Sequence, residues 1–140
     1  MYTIETLATW GGAGMERVRF ITHRGKRVLV IDHSGSKPEE LQRTMDEVEH
    51  VVTSEPPDSL LTLSDFTGVQ FDRGAADRMK VVAAKDRPHV RRAAVVGGDS
   101  IPDVFYRALE SFSSRHFPKF KTRQEALDWL TSEDTEAAAS

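Results

Sequence analysis

The sequence predicts an α/β fold: a mixed, mostly parallel sheet that opens with a β-hairpin and continues as repeated strand–helix units. Three observations predict it. Dense apolar runs recur at residues 28–31, 60–63 and 93–96, as in strands covered on both faces. Between them lie stretches with helical spacing, such as Leu41, Met45, Val48 and Val52. Residues 17–23 alternate polar and apolar just before the turn Arg24-Gly25-Lys26-Arg27, a hairpin pattern.

Composition narrows the function classes. At 140 residues the chain is one domain. A chain of this size buries roughly two thirds of its unfolded surface, so its core needs no disulfide or metal staple. There is no cysteine, which excludes disulfides, thiol catalysis and thiolate metal sites. The expected setting is reducing and cytoplasmic. The formal net charge of -3, with both signs interspersed, lacks the basic stripe of a nucleic-acid binder. No apolar run approaches the roughly 18 residues of a membrane span. The first residues lack the basic and apolar regions of a secretory signal.

Taken in order, residues 1–15 form an N-terminal arm. Ile4, Leu7 and Trp10 suit one helical turn or a strand, and Gly11, Gly12 and Gly14 suit a linker. In the hairpin, Gly25 and Lys26 are expected as the central turn residues. That places Ile21 opposite Val30, Phe20 opposite Ile31 and Arg19 opposite Asp32. A helix follows over 36–54, with Ser36 and Glu39 as a capping box, Pro38 in the first turn and Pro56-Pro57 beyond its end. The central strand begins near Leu60 and runs into a polar turn of Asp65, Thr67 and Gly68. A second helix spans about 72–85, turns Ala75, Ala76, Met79, Val82 and Ala83 inward, and stops at Pro88. A strand over 90–96 leads to the junction Gly97-Gly98-Asp99-Ser100. The helix expected over 101–113 presents Val104, Phe105, Ala108, Leu109 and Phe112 to the core. A last strand lies within 117–120. Thr122 and Glu125 cap a final helix carrying Ala126, Leu127 and Leu130. Residues 133–140 form a disordered tail. No internal repeat is evident.

Several of these stretches carry a resemblance. Within residues 18–32, positions 20–32 read Phe-Ile-x-His-x-Gly-Lys-x-Val-Leu-x-Ile-Asp, and residues 60–68 read Leu-Leu-Thr-Leu-x-Asp-x-Thr-Gly. Residues 93–97 read Ala-x-Val-Val-Gly, and residues 120–130, with Gln124 at the first Glu position, look like a Phe-x-Thr-x-Glu-Glu-Ala-x-x-Trp-Leu ending. In this order they resemble the SpoIIAA-like branch of the STAS domains, the sulfate-transporter and anti-sigma-factor-antagonist family. The resemblance covers about 16–130 and implies a STAS-like βα superhelix over residues 16–132 with a binding role. The family's anti-sigma antagonists are switched by phosphorylation in an Asp-Ser-Ser-Gly turn after the central strand. Here Asp72-Arg73-Gly74 falls at that turn, so the phosphorylated serine is not matched.

The candidate chemistry is sparse. Asp32-His33-Ser34 holds triad residue types, but adjacent strand residues face opposite ways and do not converge. His23, His33, His50, His89 and His116 fall on different elements without metal-ligand spacing. Gly97-Gly98-Asp99-Ser100 before a helix suits an anion cradle of free N–H groups, but it lacks a Walker lysine and reads more readily as an ordinary strand-to-helix turn capped by Asp99 or Ser100. Asp65 and Thr67 fit a structural Asx-type turn or direct ligand contact. Phe105, Phe112, Phe117 and Phe120 are expected in the core, and Trp10 and Trp129 at an edge or a dimer contact.

The functional expectation is a non-enzymatic regulatory or protein-interaction module without cofactor or metal. Its partner would be another protein, with a homodimer as a further option. The candidate surface is formed by Ser34, Ser36, Asp65, Thr67, Gly68, Gly97, Gly98, Asp99 and Ser100. The alternative is a domain that binds a small apolar or anionic ligand. Sequential right-handed crossovers would put every helix on one side of the sheet. The apolar opposite face would then need the N-terminal arm, in the same chain or across a dimer, to cover it.

Overall fold

The computed structural model describes residues 2–5 and 16–132. Six strands form one sheet in sequence order: β1 (Tyr2–Glu5), β2 (Val18–His23), β3 (Lys26–Asp32), β4 (Leu60–Asp65), β5 (Val90–Val96) and β6 (Lys119–Phe120). β1, β2 and β3 pair antiparallel, and β3 to β6 pair parallel. The helices are α1 (Pro38–Thr53), α2 (Arg73–Asp86), α3 (Asp103–Ser113) and α4 (Arg123–Leu130). The N-terminal segment thus begins as an edge strand carrying Ile4. The expectations for Leu7, Trp10 and residues 133–140 fall outside the described residues.

The hairpin turn sits one residue earlier than expected. Arg24 and Gly25 are its central residues, with φ of 53° and 79°. Two left-handed residues make the type I′ turn whose twist suits paired strands. Phe20 therefore faces Leu29, Ile21 faces Val28 and Arg19 faces Val30, not Ile31, Val30 and Asp32. Each partner moves by two positions, so every side chain keeps its expected face.

Strand alternation divides the interior into two cores. Phe20, Leu29, Ile31, Leu60, Ala93 and Val95 pack beneath α1, α2 and α3. Ile21, Val28, Val30, Leu61, Leu63, Ala94 and Val96 point the other way, against Ala126, Leu127 and Leu130 of α4. The second face is therefore not bare. The three crossover helices do share one side, as right-handed connections require. The last described helix, α4, lies instead over the opposite face. In β5, Leu60 pairs with Val90 but Leu61 pairs with Arg92, so Arg91 is an extra residue in the strand. That bulge puts Arg92 on the α4 side, where its guanidinium donates to the carbonyl of Leu130 at 3.3 Å and lies 5.0 Å from the Trp129 ring.

Local chemistry moved some helix ends and faces. α1 starts one residue later than a Ser36 cap implies: Lys37 is the N-cap, and its amide donates to the Glu40 carboxylate at 3.0 Å. Ser36 is instead fully buried. α2 begins after Asp72, whose carboxylate accepts from the Ala75 amide at 2.8 Å. Pro102, not Asp99 or Ser100, is the N-cap of α3. Starting two residues late, α3 buries Tyr106, Leu109 and Ser113, while Val104 and Phe112 are 67% and 55% exposed. The Tyr106 hydroxyl decides this orientation by donating to the Phe117 carbonyl. Trp129 packs within the chain, its ring 5.6 Å from that of Phe120.

Candidate functional site

The carboxyl ends of β3, β4 and β5 lie side by side, and two of them carry the same device. β3 ends in Asp32-His33-Ser34-Gly35 and β4 ends in Asp65-Phe66-Thr67-Gly68. Asp32 faces Asp65 across the parallel pair. The Asp32 carboxylate accepts from the Ser34 amide at 2.9 Å and the Ser34 hydroxyl at 2.6 Å. The Asp65 carboxylate accepts from the Thr67 amide at 2.9 Å and the Thr67 hydroxyl at 2.7 Å. Each is an Asx-type turn, in which a carboxylate replaces the next strand as acceptor. Gly35 and Gly68 then take φ of 68° and 69°.

Backbone hydrogen bonds carry the sheet one step past its formal end. His33 N–H donates to the Asp65 carbonyl at 2.9 Å, and Phe66 N–H to the Val96 carbonyl at 2.8 Å. Gly35 N–H donates to the Thr67 carbonyl at 2.8 Å, and Gly68 N–H to the Ser100 hydroxyl at 2.9 Å. Gly97 sits against Thr67 so closely that a Cβ there would lie 2.4 Å from the Thr67 nitrogen. Its φ of 73° also favours glycine. Loops that the sequence presents as three separate turns are thus bonded into one surface.

Arg123, at the start of α4, joins the two carboxylates. Its Nε donates to Asp65 at 2.8 Å, and its terminal nitrogen lies 3.3 Å from Asp32. Burial works against the Asp32 charge, but the Ser34 hydroxyl and amide, then Arg123, outweigh it and hold the carboxyl below its ordinary range. Arg17 closes the outer edge, donating to the carbonyls of Asp32 at 2.9 Å and Ser34 at 3.0 Å. His33 turns toward the α1–α3 side, stacked on Phe66 with ring centroids 4.8 Å apart. It is therefore not a base for Ser34, whose hydroxyl is already donated to Asp32.

The expected site residues separate by burial. Thr67, Gly68 and Asp99 are exposed, and Ser34, Gly97 and Ser100 are half-buried. Ser36, Asp65 and Gly98 lie beneath the surface they were expected to form. The Lys119 side chain lies over Gly98. Asp32 entered the sequence analysis only as a rejected triad member, and Arg123 was not among the expected site residues. The repeated Asp-x-Ser/Thr-Gly at two strand ends was a readable signal. Arg123 had none, because its role depends on α4 crossing to the second face.

A solved structure shares this architecture. It is the crystal structure of an uncharacterized protein of the DUF3478 family with a SpoIIAA-like fold, from Shewanella loihica PV-4. It aligns with a TM-score of 0.63 and 17% identity, over 93% of this chain and 95% of that one. The fold is SpoIIAA-like. No family model and no curated protein matches the sequence. A SpoIIAA-like fold at this identity fixes architecture, and function has to be argued from the site. Among the described residues, no helix is long and apolar enough to cross a membrane.

Proposed function

We propose that this chain is a non-enzymatic regulatory module, cytoplasmic, that docks another protein on the joined loops at the carboxyl ends of β3, β4 and β5. The observation that carries the reading is the bonding of those loops into one surface. A pre-ordered loop surface loses little conformational entropy on association. Its polar groups are largely used in holding the loops, which suits recognition by shape better than bond-making. The carboxyl ends of parallel strands are where open α/β sheets place their sites. Since α4 covers the second face, that face gives no reason to invoke a second copy.

The reading is tested by affinity capture and mass spectrometry with the intact chain and with Thr67→Arg/Asp99→Arg, both side chains being exposed. A partner retained by the parent and lost by the folded double variant supports it. Equal capture by both rejects it.

A further inference from the structure

A cavity of about 100 Å3 lies between the sheet and α1–α3 and reaches His33 and Phe66 beneath the loop surface. A lone water needs about 10–15 Å3 on this scale, so the space holds considerably more. Its walls are mainly apolar, with Met45, Met79, Ala93 and Leu109 among them. Six polar residues also line it: His33, Thr62, Ser64, Asp86, Arg87 and Arg115. His33 Nδ1, Asp86 Oδ1 and Arg115 Nε are buried without a hydrogen-bond partner. His33 itself is only 3% exposed. Buried polar atoms left this way are costly, so three around one cavity call for an occupant.

Their placement describes the occupant. Arg115 is fixed at the amino end of β5, where it donates to the Val90 carbonyl at 2.6 Å. That leaves its Nε–H, which can only donate. Asp86 ends α2, a few residues before β5 begins. Burial first, then the Glu49 charge, push its carboxyl up to about 7, against the opposing pull of Arg78. Near neutral pH it can therefore donate as well. His33 marks the opposite, carboxyl end of the strands. The cavity thus has a donor-rich end, mainly apolar walls with Thr62 and Ser64 of β4 among them, and the His33 nitrogen at the far end.

We propose that this cavity binds a small organic acid with an unbranched apolar body, its carboxylate at Arg115 and Asp86 and its tail running toward His33. The cavity adjoins the docking surface proposed above at the buried His33 and Phe66, but the titration below involves no partner protein, so either reading can fail alone.

Octanoate is the probe and 1-octanol the matched control, titrated calorimetrically into the intact chain. Octanoate is expected to bind at least about tenfold tighter than octanol, the worth of one charge-assisted hydrogen bond. Arg115→Lys, which keeps the charge but loses Nε, should remove that preference and leave octanol unchanged. Carbon-13-labelled octanoate should show NMR cross-peaks to the methyls of Met45, Met79 and Leu109. Should Arg115→Lys fail to fold, the octanoate-to-octanol ratio and the cross-peaks still decide. No octanoate binding, equal binding of both probes, or cross-peaks to other residues would each overturn the proposal. So would octanoate-soaked crystals with only water in the cavity.

Discussion

Removing the Arg123 guanidinium would leave Asp32 and Asp65 facing each other across the β3–β4 pair without their shared cation. Asp65 is 6% exposed and cannot turn to solvent. Arg123→Met is expected to cost about 1–3 kcal/mol in urea melts, the lower part of that range reflecting the partial exposure of Arg123. Arg107→Met removes an ion pair to Asp103 in which both side chains are more than two-thirds exposed. It should change stability by under about 0.5 kcal/mol. The cavity residues give a pH test. Burial pulls the His33 imidazole from 6.5 down to about 4, with the Asp32 charge opposing. Between those values the unfolded chain holds a proton on His33 that the folded chain lacks, so this contribution rises with pH. Asp86 goes from 3.8 up to about 7, so over most of the same window the folded chain holds the extra proton and its contribution falls with pH. Each slope is at most about 1.4 kcal/mol per pH unit, and in the parent they largely cancel. Asp86→Asn should make stability climb from pH 4 to 6.5 relative to the parent, and His33→Phe should make it fall. Matching slopes in the two variants would refute the assignment.

Single strands and turns carry their own tests. Leu63 is fully buried under α4, and Leu63→Ala is expected to cost about 2–5 kcal/mol. Thr67→Ala loses one exposed-loop hydroxyl and should cost much less; the reverse order in urea melts would undo the strand assignment. Gly25→Ala meets nothing within 4 Å and should cost about 1–2 kcal/mol for its left-handed backbone. Gly97→Ala adds a clash with Thr67 to the same backbone demand and should cost clearly more. The sequence was most readable where local chemistry decides. Strand runs, the Leu41–Val52 stripe and the Thr122 cap need only near neighbours. It was less readable where distant contacts decide. The face of α3 follows a Tyr106 bond to Phe117, and the hairpin register follows a left-handed Arg24 that no short-range preference announces.

Across the whole molecule, the two apolar faces require two helical layers, and among the described residues the second consists of α4. Arg92 holds the end of that helix from the bulged strand, and Arg123 ties its start to Asp32 and Asp65. One short helix therefore links the second core to the loop surface. That coupling was not legible in the sequence, because Arg92 and Arg123 look like ordinary charged positions until β5 and α4 are placed. The docking surface is tested most directly by benzophenone photo-crosslinking in the source cells. The photoreactive residue is placed at the exposed positions 37, 70 or 99 on or beside the joined loops, and at 47 or 81 on the outer faces of α1 and α2. The same crosslinked protein from all three loop positions, absent from 47 and 81 and lost with Thr67→Arg, is the predicted result. Products from 47 and 81 with none from the loops would contradict it.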